Sequence, residues 1–448
     1  MITTSFQRMV ANDVGQLHRG IFGDEAIYQQ ELEQIFGRCW LFLGHETQIP
    51  KANDFIATYM GEDPVLLCID AKDKLHAFLN MCRHRGNRIC RADSGNAPSF
   101  MCTYHGWTFS TDGKLVGVPG FKEAYFEELD RSQWGLVEAG QIDSHKGLVF
   151  ATWDKSAPTL PDYLGDIRWY IDMRFDKREG GTEALKGSVR WATKTNWKFP
   201  ADNLGGDGYH TYLTHASARM VRGGGTGTLQ TQQYGEGGSQ VSVGNGHTVV
   251  RFGGPGGYGA NRTRRQSSDP IDNYNIEHLP EMRKRLGDLR ADNAGTAGVL
   301  TVFPNFSYNG TIRAWHPRGP LKTETWSFAT VDRDAPDEVK RAVRLTDTMS
   351  FGPAGIIETD DQVNYINCTE AAVYHSGRKA MINQQLGINR DQVSETFPGR
   401  FVPSPGELNQ RSFYGRRAEF MDAPSWSQIS LTKTFNAANY RTRSEAGE

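Results

Sequence analysis

Six cysteines in 448 residues are too few to knit a chain of this length together. They stand at Cys39, Cys68, Cys82, Cys90, Cys102 and Cys368, so a disulfide framework is excluded. Metal ligation is the better reason for any paired subset. An excess of charge of one sign is also missing. The net charge of -2 excludes a nucleic-acid binder or a polybasic membrane surface. No apolar run approaches the ~20 residues that span a bilayer. The opening MITTSFQRMVANDV lacks a basic patch followed by an apolar stretch, so no secretory signal is expected. A cytoplasmic, bacterial location is the default expectation. There is no internal repeat, and no Gly-rich phosphate loop between a strand and a helix. What remains is ordinary: 38% hydrophobic and 23% charged residues, enough for two or three domains with a substantial core.

The texture of the chain changes twice. Asp24 to Gly37 reads as a helix, with Ile27, Leu32, Ile35 and Phe36 at helical spacing and Asp24 as its cap. From Cys39 to about Trp153, short runs rich in Val, Ile, Phe and Tyr alternate with Gly, Pro, Asp and Asn. This predicts a small all-β domain, with Ser110 to Lys114 as a hairpin turn. Residues 154–190 read as a bridge. Beyond it, Asn203 to His215 is expected to be helical. Residues 222–260 are Gly-rich and read either as a disordered insertion or as an entrance loop. Glu277 to Asn293 reads as a charged amphipathic helix. Val299 to Trp315 and Glu324 to Asp332 alternate like paired antiparallel strands. Helices follow over Glu338 to Met349 and again after Ile356. The expected class is therefore α+β, with a larger second domain of antiparallel sheet and flanking helices. The expected divisions are an N-terminal helical segment at 1–37 packing on the second domain, the all-β domain at 38–156, and the second domain at 157–448.

Two clusters of ligand-type residues stand out. Cys82-Arg83-His84 and Cys102-Thr103-Tyr104-His105 each pair one thiol with one imidazole. A zinc finger usually pairs Cys with Cys and His with His. Mixed pairs suit a two-iron cluster in which thiolates hold one iron and imidazoles the other. Ligand types alone leave zinc as the alternative. Arg83, Arg85, Arg88 and Arg91 flank these ligands and read as a docking patch for an acidic electron donor, or as a solvated basic face. Cys68 and Cys90 have no matching partners and are expected to be buried small apolar residues. The second cluster holds His210 and His215. Two histidines and one carboxylate can occupy one face of Fe²⁺ and leave positions open. The candidate carboxylates are Asp202, Asp207, Glu358, Asp360 and Asp361. In a regular helix His210 and His215 would diverge by roughly 140°, so one ion can join them only if the helix is distorted. Asp207, three residues before His210, would share its helical face.

The CRHRG and CTYHGW segments, the NWK…D-x-Y-H-x-x-x-x-H segment and FGPAG…TDD follow in this order over nearly the whole chain. In this the chain resembles the large subunit of Rieske non-haem iron ring-hydroxylating dioxygenases, in particular those acting on naphthalene, biphenyl and phenylpropionate-type substrates. The resemblance implies a Rieske [2Fe–2S] domain held by Cys82, His84, Cys102 and His105. It implies a catalytic domain in which His210, His215 and Asp361 hold a mononuclear Fe(II). It implies that Asp207 links that iron to the cluster of a neighbouring subunit, whose His105 would face it. Positions matching pocket residues of the family are Asn203, Leu204, Thr211, Ala297, Val299, Phe351 and Ile357.

The activity so implied is addition of both atoms of O₂ to an arene, giving a cis-dihydrodiol. O₂ reacts poorly with closed-shell arenes, so a metal must bind and reduce it. Two electrons are needed, one from the iron and one from the cluster. They would originate in NADH and arrive through a reductase and a ferredoxin, neither encoded here. A small β subunit and an α3β3 assembly are implied by resemblance only. Monooxygenation or demethylation of an aromatic substrate is the alternative outcome with the same metals. A plain electron carrier or zinc protein is the alternative of a different class, against which the second histidine cluster argues. The pocket positions are mostly apolar and carry no Arg or Lys to pair with a carboxylate. A neutral aromatic hydrocarbon is therefore expected over an aromatic acid.

Overall fold

The structure is a computed structural model that describes residues 6–221, 238–251, 269–294 and 298–432. It divides into two compact units, one of Phe36–Leu160 and one of Met1–Ile35 with Pro161–Glu448.

The smaller unit is built from short antiparallel strands. Leu75–Leu79, Asp63–Ile69, Asp54–Met60 and Ser94–Asn96 form a four-stranded sheet in that order. Leu115–Gly117, Thr108–Ser110 and Ser99–Met101 form a second sheet, and Gln141–His145, Leu148–Thr152 and Leu41–His45 a third. Alternation explains the faces. In the first sheet Phe55, Leu66 and Phe78 turn inward and meet Phe100, Trp107 and Phe109 in one core. Fully burying such a side chain contributes about 1.5–3 kcal/mol. The predicted turn at Ser110 to Lys114 joins two paired strands, with Gly113 at φ 81°.

The larger unit centres on a ten-stranded antiparallel sheet. Its strands are β1 (Thr182–Ala184), β2 (Val189–Thr193), β3 (Ser239–Ser242), β4 (Thr248–Arg251), β5 (Leu300–Val302), β6 (Phe306–Tyr308), β7 (Thr311–Pro317), β8 (Thr323–Asp332), β9 (Gln392–Val393) and β10 (Arg400–Pro403). Their order is β1-β8-β7-β6-β5-β4-β3-β10-β9, and β2 also pairs with β8. Every residue of β7 is buried, so both faces of the sheet are covered there. The site-bearing helices are α1 (Glu25–Glu31), α2 (Lys198–Gly206), α3 (Thr211–Thr214), α4 (Asp337–Phe351), α5 (Glu358–Val373) and α6 (Leu408–Asp422). Asp24 caps α1 as expected, accepting from the Ile27 N–H at 3.0 Å.

Four expectations change. The charged helix expected over Glu277 to Asn293 is broken into Leu279–Leu286 and Asp288–Ala294, with Gly287 at φ 78° between them. The 154–190 bridge contains helices at Leu160–Leu164 and Ile167–Phe175. The helix expected over Asn203 to His215 is broken at Asp207. The Gly-rich stretch contains β3 and β4, a hairpin within the sheet, while residues 222–237 and 252–268 lie outside the described residues. Among the described residues, no helix is long and apolar enough to cross a membrane.

A fully buried ion cluster ties α1 to α2 and α6. Glu31 takes both carboxylate oxygens to Lys198 Nζ at 2.8 Å. The same carboxylate accepts from Trp197 Nε1 at 2.8 Å and Arg417 Nε at 2.6 Å. Burial opposes its charge, but Lys198 and Arg417 outweigh it and hold the Glu31 carboxyl below its usual value. Burial and Arg417 push the Lys198 ammonium down to about 7. Removing the shared anion would leave two cations in a dry interior. Glu31→Gln is therefore expected to destabilise the fold by about 3–5 kcal/mol, read as a lower unfolding midpoint. A change within about 0.5 kcal/mol, the size usual for surface substitutions, would contradict it.

Candidate metal centres

The four Cys and His residues of the smaller unit lie on two loops of one design. In the first, the Cys82 N–H donates to Asn87 O at 2.8 Å and the Gly86 N–H to Cys82 O at 2.9 Å. In the second, the Cys102 N–H donates to Trp107 O at 2.8 Å and the Gly106 N–H to Cys102 O at 2.9 Å. Both glycines have positive φ, 77° and 74°, a conformation that costs glycine little. At Gly106 an added Cβ would also lie 2.8 Å from Pro119. These loops bury the two thiols and bring the His84 and His105 rings to 4.6 Å between centroids. His84 stacks on Trp107 at 5.0 Å.

The two thiols are shifted in opposite directions. Burial raises the Cys82 thiol, and the backbone N–H of His84 opposes the rise. Burial also works against the Cys102 thiolate, but the Asn87 amide, the Tyr104 N–H and the Cys82 thiol outweigh it and lower that group. Asn87 Nδ2 lies 3.5 Å from the Cys102 sulfur. Among the described residues, only one group of three or more ligand-type side chains closes to within 4.8 Å, and it lies elsewhere. The Cys/His set is thus more open than a single tetrahedral ion requires, with thiol beside thiol and imidazole beside imidazole. That spread suits two irons. Cys68 is buried as expected, whereas Cys90 is only half-buried. Arg83 is committed to Gly135 O at 3.2 Å and to the Trp134 ring, while Arg85, Arg88 and Arg91 are exposed.

The group that does close is His210, His215 and Asp361. His210 Nε2 lies 3.1 Å from His215 Nε2 and 3.2 Å from Asp361 Oδ1. His215 Nε2 lies 3.3 Å from the same oxygen. Ligands about 2.1 Å from an ion and mutually at right angles lie about 3.0 Å apart, and tetrahedral ones about 3.4 Å. The triangle observed falls between these, as one face of a coordination shell would. Asp361 Oδ1 is buried and has no hydrogen-bond donor among the described residues, which a cation at the triangle's centre would remedy.

The break at Asp207 is what closes the triangle. Helix α2 ends in Gly205-Gly206. An added Cβ at Gly206 would lie 2.6 Å from Asn409 Nδ2, so the position admits no larger residue. Asn409 donates to Gly205 O at 2.9 Å, and Gln240 Nε2 donates to Gly206 O. The helix end is thereby satisfied from outside. Asp207 then starts a new turn: its Oδ1 accepts from the Tyr209 N–H at 2.9 Å and the His210 N–H at 3.1 Å. The one-turn α3 follows, with His210 at its entry and His215 at its exit. Asp207 and His210 are thus neighbours through a capping turn rather than through a shared face of one helix.

Each histidine has a carboxylate behind it. Asp207 Oδ2 lies 3.4 Å from His210 Nδ1, and Asp360 Oδ2 lies 3.6 Å from His215 Nδ1. Burial opposes charge on His210, but Asp207 and Asp361 outweigh it and push the imidazole up to about 10. The same environment that would hold a proton there favours a metal cation. Burial also works against the Asp361 carboxylate, yet His210 and His215 hold it below its usual value. The other candidate acids are otherwise engaged. Asp202 accepts from Tyr414 Oη at 2.8 Å, and burial pushes it up to about 7. Glu358 pairs with Arg313 at 3.0 Å.

The pocket positions are only partly brought together. Asn203 Nδ2 lies 3.4 Å from both ring nitrogens of His210. Leu204 lines a small cavity with Arg313 and Glu358. Phe351 lines a separate cavity of about 210 Å³ with Tyr274 and Tyr308. Thr211, Val299 and Ile357 are half-buried, and Ala297 lies outside the described residues. Sequence reasoning missed Arg313, whose guanidinium lies 4.7 Å over the Phe351 ring. A cation does stand beside the pocket positions, already matched by Glu358.

Residues 39–133 match the family model "Rieske [2Fe-2S] domain", and residues 160–423 match "Ring hydroxylating alpha subunit (catalytic domain)". The chain is 38% identical over 441 residues to the biphenyl 2,3-dioxygenase subunit alpha of Rhodococcus jostii (strain RHA1), covering 95% of this chain and 93% of that one. It is 34% identical over 448 residues to a benzene 1,2-dioxygenase subunit alpha of Pseudomonas putida, covering 96% of each. The fold matches a crystal structure of naphthalene 1,2-dioxygenase with indole bound in the active site. There the TM-score is 0.87 and the identity 31%, over 95% of this chain and 96% of that one.

Proposed function

The chain belongs to the alpha subunits of the Rieske-type aromatic ring-hydroxylating dioxygenases, and from that premise we propose the roles of its residues, its substrate class and its partners. As a member, it is an oxidoreductase that dihydroxylates an aromatic ring to a cis-dihydrodiol, with a Rieske [2Fe–2S] cluster and a mononuclear iron as its metals. The observation that carries the assignment of roles is the triangle of His210 Nε2, His215 Nε2 and Asp361 Oδ1, with sides of 3.1 to 3.3 Å.

On this reading His210, His215 and Asp361 hold the iron, and Cys82, His84, Cys102 and His105 hold the cluster. When bound, the two centres supply O₂ binding and its stepwise reduction. The chain's own residues do the rest. Asp207 and Asp360 orient the two imidazoles from behind. Asn203 stands beside His210 and borders the space for substrate. Asp207 further serves as the bridge to the cluster of a neighbouring copy. Its surroundings support this: Tyr209 and Leu213 beside it are 53% and 68% exposed, an apolar rim suited to a partner surface. In the smaller unit His105 is exposed and Tyr104 is 59% exposed. The exposed Arg85, Arg88 and Arg91 would receive an acidic ferredoxin, itself reduced by an NADH-dependent reductase. A small β subunit in an α3β3 assembly completes the proposed enzyme.

The substrate proposed is a neutral aromatic hydrocarbon. Arg313 does not change this, because Glu358 already matches its charge. An added carboxylate would compete with Glu358 for a guanidinium with no exposed face. Uncharged one- and two-ring arenes are therefore expected to turn over at least ~10-fold faster than benzoate-type acids, since an unpaired buried carboxylate costs more than 1.4 kcal/mol. Product analysis with labelled O₂ should find both label atoms in a cis-diol. Faster turnover of the acids, or single-atom incorporation, would overturn the substrate and outcome proposed.

A further inference from the structure

Asp361 lies in the first turn of α5, and Phe351 is the last residue of α4. The connection between these helices, residues 352–357, therefore decides how a wall residue is placed relative to a candidate iron ligand. It is tightly folded. The Ile356 N–H donates to Met349 O at 3.0 Å and the Ile357 N–H to Ser350 O at 3.1 Å. An added Cβ at Gly355 would stand 2.6 Å from the Ser350 backbone, so glycine is required. Such a turn fixes its own shape but not its place against the sheet.

Strand β7 supplies that reference. Thr311 and Arg313, two apart, share one face of the strand. Thr311 Oγ1 donates to Asp347 Oδ1 in the last part of α4. Arg313 reaches both ends of the connection. Its guanidinium lies 4.7 Å over the Phe351 ring, and its Nη2 meets Glu358 Oε2 at 3.0 Å, three residues ahead of Asp361. Its Nη1 donates to Asn309 Oδ1 at 3.0 Å. Arg313 is 1% exposed and Glu358 7%. Stability alone does not call for such a pair, since apolar residues of like volume are often as stable or more so. What a planar guanidinium adds is direction: it stacks on a ring and donates in plane at once, which an ammonium cannot do.

We propose that Arg313 is a positioning residue that fixes, from one point on the sheet, both the α5 turn carrying Asp361 and the Phe351 ring. The inference rests on the reading of Asp361 as an iron ligand. It concerns where the iron is held relative to the substrate wall. The tests are Arg313→Lys, which keeps charge without the fork, and the paired Arg313→Met with Glu358→Met, which removes both charges and spares the fold. Loss of mononuclear iron to a ferrous chelator is followed, with the visible absorbance of the cluster as internal control. In both variants iron is expected to leave roughly 10-fold faster, with cluster absorbance unchanged. The ratio of regioisomeric diols from a substituted arene is expected to shift. The paired variant should do so even if its melting temperature equals or exceeds that of the wild type. Wild-type iron retention and isomer ratio in both, whatever the melting temperature, would show that the pair only packs. Asp361→Ala separates the two levels. If it keeps its iron, the ligand reading fails and this inference with it. If it loses iron while the Arg313 variants do not, the inference alone fails.

Discussion

His210→Ala and Asp361→Ala are expected to purify with the visible spectrum of the cluster intact and mononuclear iron absent. Cys82→Ser and His105→Ala are expected to do the reverse, losing cluster absorbance first. The two proposed ligand sets belong to separately packed units, so damage to one need not unfold the other. At the mononuclear site, two ligands cannot replace three. His210 and Asp361 each contribute one corner of a triangle with sides of 3.1 to 3.3 Å. Removing either leaves a two-point site, and the loss exceeds the 10–100-fold usual for an outer-shell partner. In the smaller unit, the loops around Cys82 and Cys102 are shaped by backbone hydrogen bonds that survive replacement of a sulfur by oxygen. Serine at position 82 should therefore keep the loop and lose the ligand. Metal and sulfide analysis per chain reads all four variants. Wild-type iron content and turnover in His210→Ala would mean that the site has been misassigned.

The candidate ligand residues stand out in the sequence because metal chemistry restricts residue type and spacing so tightly. The loops that present them stand out less. That CRHRGN and CTYHGW close with the same pair of backbone hydrogen bonds cannot be read from one histidine at the third position and one at the fourth. The run from Asn203 to His215 misled for a physical reason. Its composition tolerates a helix, but two glycines and a capping aspartate end one helix and start another, and only tertiary contacts from Asn409 and Gln240 make the break affordable. The helix at Ile167–Phe175 hid behind its charges, although Ile167, Tyr170, Ile171 and Met173 are all buried. Strands β3 and β4 hid in a Gly-rich stretch whose valines alternate only over a few residues. Arg313 was out of reach altogether. Nothing local marks a strand arginine as the neighbour of a glutamate and a phenylalanine some forty positions on.

Asp207 gives the sharpest test, because its two oxygens do different work. Oδ1 is taken by the N–H groups of Tyr209 and His210, which hold the turn into α3. Oδ2 faces His210 Nδ1 at 3.4 Å, on a side chain that keeps 34% of its surface. Burial works against its charge, but His210 holds the carboxyl below its usual value, so it is present as the anion. Asparagine caps a turn about as well as aspartate. Asp207→Asn should therefore keep the backbone, both histidines and both metals, and lose only the negative acceptor. Asp207→Ala also loses the cap, at a cost of about 1 kcal/mol. If Asp207 only orients His210, both variants should lose a modest factor, in line with other outer-shell carboxylates. If it joins His210 to the His105 of a neighbouring copy, both should lose turnover roughly 100-fold or more, beyond that range, with metal content unchanged. The distinguishing measurement is a single turnover. Chemically reduced enzyme is mixed with substrate and O₂, and the cluster absorbance is followed as it returns. Return far slower than in the wild type is expected in both variants. Fast return with a normal yield of diol in either one would leave Asp207 as an orienting group and remove the bridge.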